Sequence, residues 1–387
     1  MTAEHDGPFD LAVLGLGAVG SWALSHARAL GMRCVGVDAR PLLHALGSSH
    51  GGARVTRQAY FEHPDYVPLI AASTDMYRAL ARTGDDPVFE PCGTLVLGRP
   101  DATVIVRSMA AARSHGVPTE YLHPSDLAHR VPQFNLPGDV VGLMEPDAGF
   151  LRVETSLRQV QHVARQAGAT LHSRTAVTHV DTTGDLIHLK CVDRPPILAS
   201  AVVCAAGAWT ARILPSLAPY LRVTRQVQGW LRQPASAPSL RAPTMPCWLI
   251  DRGDAPPLYG IPDDPLDPSR GAKIAVHGGD AWTDPDTVVR TIDGDDRAQL
   301  CRAAERWLTP ARPRLHEANV CLYTSTVDGH FIVDRVAEDP RIVAVAGLSG
   351  HGFKMAPALG QCAVELAIGG QTSWPTSFLR RALRRPW

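Results

Sequence analysis

A glycine-rich turn near the start of the chain constrains the fold more than any other feature. Residues 11–14 (LAVL) form a continuous apolar run, which is typical of a parallel strand covered on both faces. A GxGxxG fingerprint follows directly, carried by Gly15, Gly17 and Gly20. After a stretch with helical spacing, a second apolar run over residues 34–37 ends on Asp38. This acid lies about 20 residues beyond the glycines, where it can bind a ribose hydroxyl, so the sequence predicts a dinucleotide-binding β-α-β unit.

A second strand–turn–helix unit lies near the C-terminus. Residues 342–346 (IVAVA) predict a strand, residues 347–354 (GLSGHGFK) a turn, and residues 355–368 a helix with one apolar face. The turn contains three glycines, which are Gly347, Gly350 and Gly352. The positive N-terminal end of such a helix favours a negatively charged ligand. Two glycine turns more than 300 residues apart indicate one large cofactor held at both ends, and this fits a flavin dinucleotide better than a nicotinamide.

Composition argues against several other classes of protein. The 387 residues include 38 Lys plus Arg and 38 Asp plus Glu, so no net charge favours nucleic acid or an anionic membrane as a partner. No apolar run approaches the ~18 residues of a membrane span. The eight cysteines are scattered without a Cys-x-x-Cys pair, which argues against a metal site and against a disulfide framework. Residues 1–6 are acidic and lack a secretory leader pattern, so we expect a cytoplasmic protein with reduced thiols.

The order of predicted elements indicates an α/β (α+β) fold with two interleaved domains. Nucleotide-binding elements occur at both ends and in the middle of the chain, and β-rich stretches separate them. We therefore expect a discontinuous, Rossmann-like domain that binds flavin adenine dinucleotide (FAD) and consists of residues 1–85, 150–215 and 325–387. We expect the β-rich substrate-binding domain to comprise residues 86–149 and 216–324.

A candidate binding loop follows the β-α-β unit directly. Residues 47–57 (GSSHGGARVTR) combine glycines, which let backbone amides approach a ligand, with two arginines. The planar guanidinium of Arg54 or Arg57 can bind both oxygens of a carboxylate. Taken alone, the pattern leaves a second interpretation equally open, in which this is a solvated loop with surface arginines.

Taken together, these motifs resemble those of a known family. The chain is similar to the monomeric sarcosine oxidases and N-methyltryptophan oxidases, within the D-amino acid oxidase-like flavoproteins. The resemblance covers nearly the whole chain and rests on motifs in one order: residues 15–20, 47–60 (GSSHGGARVTRQAY), 145–151 (EPDAGFL), 203–209 (VCAAGAW), 273–277, 320–324 (VCLYT), 328–334 (DGHFIVD) and 347–354. One position departs from the family, because Ser49 stands where a first histidine usually precedes His50.

The resemblance implies that the cofactor is FAD, linked covalently to the chain. Cys321 corresponds to the cysteine that bonds to the flavin 8α carbon, although a buried apolar cysteine is the usual fate of this residue. The residues expected to bind the cofactor are Gly15, Gly17, Gly20, Asp38, Ser48, His50, Arg54, Cys321, Gly347, Gly350, Gly352 and Lys354.

The resemblance also implies roles in catalysis. Lys273 corresponds to a lysine beside the flavin N5 that promotes reaction with O2, because a buried ammonium stabilises the superoxide anion. Arg57 and Lys354 correspond to the pair that binds the substrate carboxylate. Arg54 is expected to lie under the flavin ring and affect its charge. His277 and Tyr259 are expected to shape the space over the reacting C–N bond, with simple packing as the alternative for each.

The function implied by the resemblance is an FAD-dependent amine oxidase. It would oxidise a secondary amino acid to an imine by hydride transfer to the flavin and reduce O2 to hydrogen peroxide. Sarcosine, an N-methyl amino acid and a cyclic imino acid such as pipecolate all remain open as substrates, because of Ser49 and because loops within residues 216–270 set the pocket size. A dehydrogenase with another electron acceptor and a non-catalytic flavin-binding protein are the alternatives. A monomer is expected, with no nucleic-acid or membrane partner.

Overall fold

The structure is a computed structural model that describes residues 7–84, 86–232, 239–253, 255–279, 281–309 and 314–387. The prediction about a secretory leader concerns residues 1–6, which lie outside the described residues. In chain order the strands are β1 (Phe9–Leu14), β2 (Cys34–Val37), β3 (Ala53–Thr56), β4 (Phe89–Glu90), β5 (Thr94–Gly98), β6 (Glu120–Leu122), β7 (Val141–Glu145), β8 (Gly149–Arg152), β9 (Thr170–His172), β10 (Val177–Asp181), β11 (Ile187–Cys191), β12 (Arg194–Cys204), β13 (Arg222–Arg232), β14 (Cys247–Arg252), β15 (Ala255–Ile261), β16 (Ala272–Val276), β17 (Arg314–Ser325), β18 (Ile332–Val336) and β19 (Asp339–Ala346).

The helices pack mainly around the first of the three sheets that the described residues form. In chain order they are α1 (Ala18–Ala29), α2 (Tyr66–Leu80), α3 (Thr103–His115), α4 (Pro124–Arg130), α5 (Val153–Gln166), α6 (Thr210–Ile213), α7 (Gly294–Trp307) and α8 (Ala356–Gly369). Short 3₁₀ turns occur between them, and one of these, Phe353–Met355, leads directly into α8. None of the described helices is both long and apolar enough to cross a membrane.

The first sheet has a parallel centre with the order β9-β2-β1-β12-β19. Antiparallel strands extend it, with β11 and β10 beside β12 and with β18 beside β19. Leu11 and Val13 of β1 pack into the apolar core that contains α1, α2, α5 and α8, while Ala12 and Leu14 face a separate core on the other side. Because side chains alternate across a strand, this burial on both faces explains the continuous apolar run of β1.

The second sheet also has eight strands and is mainly antiparallel. Its order is β17-β13-β16-β15-β14-β5-β7-β6, and only the β14–β5 pair is parallel among the described strands. A small sheet has the order β3-β8-β4. Its strands occur in the sequence where the chain passes from one of the eight-stranded sheets to the other. This architecture confirms the predicted α/β fold with a Rossmann-like parallel core and a separate β-rich part. The domain boundaries given above stay a prediction.

One face of the β-rich sheet presents two of the predicted site residues. In an antiparallel pair, residues that lie directly opposite each other point to the same side. Gln226 of β13 lies opposite Cys321 of β17, and Trp230 of β13 lies opposite Lys273 of β16. Since Gln226 and Trp230 are an even number of residues apart on one strand, Cys321 and Lys273 share one face of this sheet.

Candidate active site

The first glycine turn brings the backbone of the chain close to its neighbours. Gly15 has a φ of +88°, and a Cβ at this position would lie 2.5 Å from the carbonyl oxygen of Ala205. A Cβ on Gly20 would lie 1.8 Å from the carbonyl oxygen of Gly15. Helix α1 therefore begins directly over the end of β1. The N-cap residue, Gly17, has no side chain to cap the helix, and the Ser49 hydroxyl accepts a hydrogen bond from the Ala18 amide at 3.2 Å, so the first turn of α1 and Ser49 together line the adjoining cavity.

This cavity has a volume of about 340 Å³ and lies at the carboxyl ends of the parallel strands. Asp38 lies in its wall at the end of β2, where the side chain accepts hydrogen bonds from the amides of Leu16 and Arg40, at 2.8 Å each. The carboxylate is thereby fixed in position beside the glycine turn. The site has the elements that an adenine dinucleotide requires, namely a helix N-terminus in the cavity wall and an acid at the end of the second strand.

The second glycine turn forms the opposite wall of the same cavity. Gly347, Gly350 and Gly352 all line it. Gly350 has a φ of +80°, and a Cβ there would lie 2.2 Å from the ring of Tyr323, so only glycine fits against this ring. Helix α8 then begins at Ala356, and Pro357 is accommodated in its first turn. Two glycine turns from opposite ends of the chain thus enclose one cavity, as the sequence predicts.

A smaller cavity of about 70 Å³ adjoins the larger one. Arg54, Tyr323, Gly350 and Phe353 line both cavities, so the two spaces meet at these residues. Six of the predicted site residues line the smaller cavity: Arg54, Arg57, Tyr259, His277, Gly350 and Lys354.

Arg57 and Lys354 are buried cations in the wall of the smaller cavity. The Arg57 Nη1 donates to the carbonyl oxygen of Ala59 at 2.9 Å. Its Nη2 donates to both carboxylate oxygens of Glu62, at 3.1 and 3.2 Å. Burial, and next the charge of Arg57, lower the pKa of Lys354 to about 7. A carboxylate of the protein itself therefore already occupies part of the arginine fork, which the sequence analysis did not anticipate.

Tyr259, His277 and Tyr323 form an aromatic group over the same cavity. The Tyr323 hydroxyl lies 3.2 Å from the His277 Nδ1, and the Tyr259 and His277 rings pack edge to face at 6.1 Å. Burial lowers the pKa of His277 to about 4, so its imidazole is neutral at physiological pH. The group can thus offer hydrogen bonds to a ligand without adding charge.

Arg54 connects the two cavities to the predicted attachment cysteine. Its Nη2 donates to the carbonyl oxygens of Ser48 and His50, at 2.9 and 2.8 Å, and lies 3.7 Å from the Cys321 Sγ. Cys321 is buried, and the next residue along β17 accepts a hydrogen bond from the Ser48 hydroxyl at 2.6 Å. The loop after β2 and strand β17 are therefore held together at this point.

Lys273 is buried behind the same loop. Its Nζ donates to the carbonyl oxygens of Gly51 and Ala53, at 3.0 and 3.1 Å, and lies 5.5 Å from the ring centroid of Trp230. Burial, and next the charge of Arg54, lower the pKa of Lys273 well below its usual value. Two carbonyl acceptors leave the third N–H of the ammonium form available to a ligand.

Four predicted site residues line neither cavity, and they are Gly20, His50, Lys273 and Cys321. Gly20, His50 and Cys321 are each next in sequence to a lining residue, and Lys273 bonds to the residue before Arg54. His50 is buried with no partner for its Nε2 among the described residues, and burial together with Arg54 lowers its pKa to about 3. It is therefore neutral. Lys354 lines the smaller cavity and not the larger one, which fits a contact with substrate better than a contact with cofactor.

The structure adds residues that the sequence analysis missed. Glu154 at the start of α5 accepts hydrogen bonds from the amides of Gly51 and Gly52, at 2.8 and 3.1 Å, and so fixes the loop behind Lys273. Asp286 lies in the wall of the larger cavity and accepts the indole N–H of Trp209 at 2.7 Å. No local pattern marks these contacts, because each joins segments far apart in the chain. Within the described ranges, no group of three or more His, Cys, Asp or Glu side chains is placed to hold a metal ion.

The scarcity of lysine is a signal that the sequence analysis could have used. The chain has 38 Lys plus Arg, but only three of these are lysines, Lys190, Lys273 and Lys354. Two of the three are buried at this site. Lysine changes its pKa readily on burial, whereas arginine stays charged. In a chain that otherwise uses arginine, a lysine therefore marks a position where a side chain with an adjustable charge is needed.

Comparison with known proteins agrees with this geometry. A monomeric sarcosine oxidase from Streptomyces avermitilis is 32% identical over 369 residues, which cover 95% of each chain. An N-methyl-L-tryptophan oxidase from Yersinia pestis is 28% identical over 361 residues, or 93% of this chain and 95% of that protein.

Solved structures with lower identity share the fold. The open form of NikD, described as an unusual amino acid oxidase, has a TM-score of 0.82 at 22% identity and covers 96% of this chain and 97% of its own. Glycine oxidase from Geobacillus kaustophilus has a TM-score of 0.78 at 18% identity, with 96% and 98% covered. The model of the family described as FAD dependent oxidoreductase matches residues 10–366. With two glycine turns around one cavity and this match over most of its length, the chain belongs to the FAD-dependent oxidoreductase family.

Proposed function

We propose that this protein is an amine oxidase that converts a small secondary amino acid to an imine. The observation that carries the proposal is the pair of buried cations, Arg57 and Lys354, in a cavity that opens onto the predicted FAD site through Arg54 and Tyr323. FAD, when bound, supplies a two-electron acceptor that takes a hydride from the substrate carbon and passes the electrons to O2, giving hydrogen peroxide. The names of the relatives, sarcosine oxidase and N-methyl-L-tryptophan oxidase, support an N-methylated or other secondary amine as substrate.

The residues present fit FAD. The amides at the start of α1 suit the diphosphate, and Asp38 suits a ribose hydroxyl at the end of β2. The second turn, with Gly347 and Gly350, places the start of α8 at the far end of the same cavity. The positive end of α8 would stabilise negative charge there. The chain thus offers a separate backbone site for each end of the cofactor.

The substrate would be held by its carboxylate. Arg57 and Lys354 form a desolvated positive site, where a carboxylate is bound more strongly than in water. Glu62 has to leave part of the Arg57 fork when the substrate carboxylate arrives, so binding exchanges one carboxylate for another. The neutral His277 and the Tyr259 hydroxyl leave the amine side of the cavity uncharged, which favours an unprotonated amine. The volume of about 70 Å³ favours a small substrate.

The decisive experiment separates the two halves of the reaction. Purified holoenzyme is mixed under nitrogen with sarcosine, other N-methyl amino acids, L-proline and pipecolate, and bleaching of the flavin absorbance is followed. We expect bleaching by at least one of these amino acids and none by the matching amine without a carboxylate. Admission of air should then restore the flavin colour and release one hydrogen peroxide per imine formed.

Each other outcome identifies an alternative. Bleaching without rapid recovery in air would replace the oxidase by a dehydrogenase that uses another electron acceptor. Absence of bleaching by every secondary amino acid, in protein that carries flavin, would contradict the proposed function. Equal bleaching by an amine that lacks the carboxylate would contradict the role of Arg57 and Lys354.

We further propose that FAD is bonded to the chain through the Cys321 sulfur, in a C–S bond that replaces the thiol S–H and one C–H of the flavin 8-methyl group, with the two electrons passing to the flavin and from it to O2. Cys321 is buried, and its Sγ lies 3.7 Å from the Nη2 of Arg54, a residue that lines the larger cavity. Precipitation of the wild-type protein with acid should leave the yellow colour in the pellet. Cys321→Ala should release all the flavin to the supernatant, whereas Cys204→Ala, which changes another buried cysteine, should release none. Release of flavin from the wild type would contradict the bond.

A monomer is proposed from the names of the sarcosine oxidase relatives. Sedimentation of the holoenzyme at several concentrations tests this, and a mass of twice 41.6 kDa would contradict it.

A further inference from the structure

The ring of one buried tyrosine contacts both cations of the proposed carboxylate site. We propose that Tyr60 is a positioning residue whose aromatic face holds Arg57 and Lys354 side by side and keeps Lys354 charged. This inference rests on the proposed function, since it concerns how the carboxylate site is assembled. It adds a role for a residue that neither cavity exposes.

The geometry of the ring supports this role. The Arg57 Cζ lies 4.4 Å from the Tyr60 ring centroid, and the Lys354 Nζ lies 5.1 Å from it. Tyr60 is only 1% exposed, so water does not screen these contacts. Two cations in one desolvated cavity repel each other, and the negative face of an aromatic ring attracts both. The ring therefore offsets part of the repulsion that assembling the site creates.

A ring serves this purpose better than an acid would. A carboxylate next to Lys354 would also keep the amine protonated, but it would compete with the substrate carboxylate for the same cation. Among the described residues Lys354 makes no ion pair, while Arg57 is paired with Glu62. The quadrupole of a ring attracts a cation without carrying a charge that repels the substrate.

A histidine fixes the orientation of the Tyr60 hydroxyl. The His351 Nε2 lies 3.1 Å from the carbonyl oxygen of Gly329, which can only accept, so Nε2 carries the proton. The His351 Nδ1 is then an acceptor, and the Tyr60 hydroxyl donates to it at 2.7 Å. Burial lowers the pKa of His351 to about 3, so this arrangement does not titrate in the working range. Donation by the hydroxyl polarises the phenol and makes its ring face more negative.

Near neutral pH the charged and neutral forms of Lys354 are similarly populated, because its pKa is about 7. The charged and titratable groups that act on Lys354 or lie near it come from several elements: Arg57, Glu62, Arg54, Glu145, His277 and His351. Burial and the two arginines lower the pKa of Lys354 to about 7, although the two glutamates act in the opposite direction. The two histidines are neutral, because burial holds their pKa values at about 4 and about 3. A modest loss of ring attraction would thus remove the charge of Lys354 near neutral pH.

The test varies the ring face and keeps its shape. Propionate, a carboxylate without an amine, is titrated into holoenzyme from pH 5.5 to 9, and its affinity is read from the change in the flavin spectrum. The variants are Tyr60→Phe and a pentafluorophenylalanine introduced at the same position, whose fluorines remove the negative face. We expect propionate to bind about 5- to 30-fold more weakly to the fluorinated protein than to Tyr60→Phe at pH 7. The pH at which affinity declines should also move down.

Tyr66 provides a matched control. It is buried, its ring packs edge to face with Tyr60 at 5.5 Å, and none of its described ring contacts is with an arginine or lysine. The same pair of substitutions at Tyr66 should leave propionate affinity and its pH dependence unchanged. Equal affinity of the two Tyr60 proteins over the whole pH range would overturn the inference while leaving the carboxylate site intact. Failure of the wild type to bind propionate at any pH would overturn the carboxylate site, and with it this inference.

Discussion

Lys273→Met is expected to slow the reaction of the reduced enzyme with O2 by about 10²–10³-fold. The first electron transferred to O2 creates an anion, and a buried ammonium about 4 Å away stabilises it by about 4 kcal/mol at an effective dielectric constant near 20. Methionine keeps the length of the side chain but cannot donate a proton or carry charge. Reduction of the flavin by substrate should change by only a few-fold, because Lys273 does not line the substrate cavity. Stopped-flow measurement of each half-reaction distinguishes the two rates.

Arg270→Met is the matched control for this substitution. Arg270 also stacks on Trp230, with its Cζ 4.2 Å from the ring centroid, but it is partly exposed and paired with Glu317. Its removal deletes a positive charge close to Lys273 and should leave the O2 reaction nearly unchanged. An unchanged O2 reaction in Lys273→Met would remove the assigned role. An equal loss in both half-reactions would indicate damage to the loop that Lys273 supports through Gly51 and Ala53.

The pH dependence of the O2 reaction follows from the same burial. Because the pKa of Lys273 is lowered, the ammonium form is lost at a lower pH than for an exposed lysine. The rate of reaction with O2 in the wild type should therefore fall as pH rises through this lowered pKa, and it should be nearly constant with pH in Lys273→Met.

Local patterns were sufficient to predict the parallel core of the fold. The apolar run of β1, the fingerprint glycines and Asp38 depend on contacts within one β-α-β unit, so their spacing in the sequence reflects their positions in space. The predicted helix over residues 355–368 matches α8 (Ala356–Gly369) for the same reason, since a helix satisfies its own hydrogen bonds. Strands β3 and β8 are different, because they pair with each other across about 100 residues of sequence. The local sequence of either strand does not identify its partner.

The site itself could be predicted only in part. The family resemblance named Arg57 and Lys354, and the structure places both in one cavity. It did not indicate that Glu62 occupies the arginine fork, because that contact depends on the conformation of the loop after β3. Lys273 and the carbonyl of Gly51 are 222 residues apart, so no periodicity could connect them. Contacts of this kind depend on how the loop before β3 packs against strand β16 of the β-rich sheet, which local sequence does not encode.

Lys354→Met should weaken binding of a carboxylate inhibitor about 30- to 1,000-fold while making the protein more stable. Among the described residues Lys354 has no ion-pair partner, so the substrate carboxylate would be its main counter-charge. Without substrate, the buried ammonium beside Arg57 is unfavourable, as its pKa of about 7 shows. Methionine fills similar space with no charge to desolvate. Inhibitor titration and thermal unfolding of the same holoenzyme preparations measure the two effects.

The sign of the stability change depends on pH. The usual pKa of a lysine is 10.5, and that of Lys354 in the folded protein is about 7. Between these values the unfolded chain binds more protons than the folded one, so wild-type stability rises with pH across this window. Below about pH 7 both states are protonated, and the folded protein carries the full cost of the buried charge. The gain from Lys354→Met should therefore be largest near pH 6, about 2–5 °C in melting temperature, and should shrink by pH 9.

Lys190→Met tests whether these effects belong to the site or to the loss of any lysine. Lys190 is the remaining lysine of the chain, half exposed and paired with Asp181. Its replacement should change neither inhibitor binding nor the pH dependence of stability. Lys354→Met could instead lower both the affinity for the inhibitor and the melting temperature near pH 6. In that case the contacts of Lys354 would stabilise the folded protein by more than the burial of its charge destabilises it. The view that this chain stores unfavourable charge at the carboxylate site until substrate arrives would then be wrong.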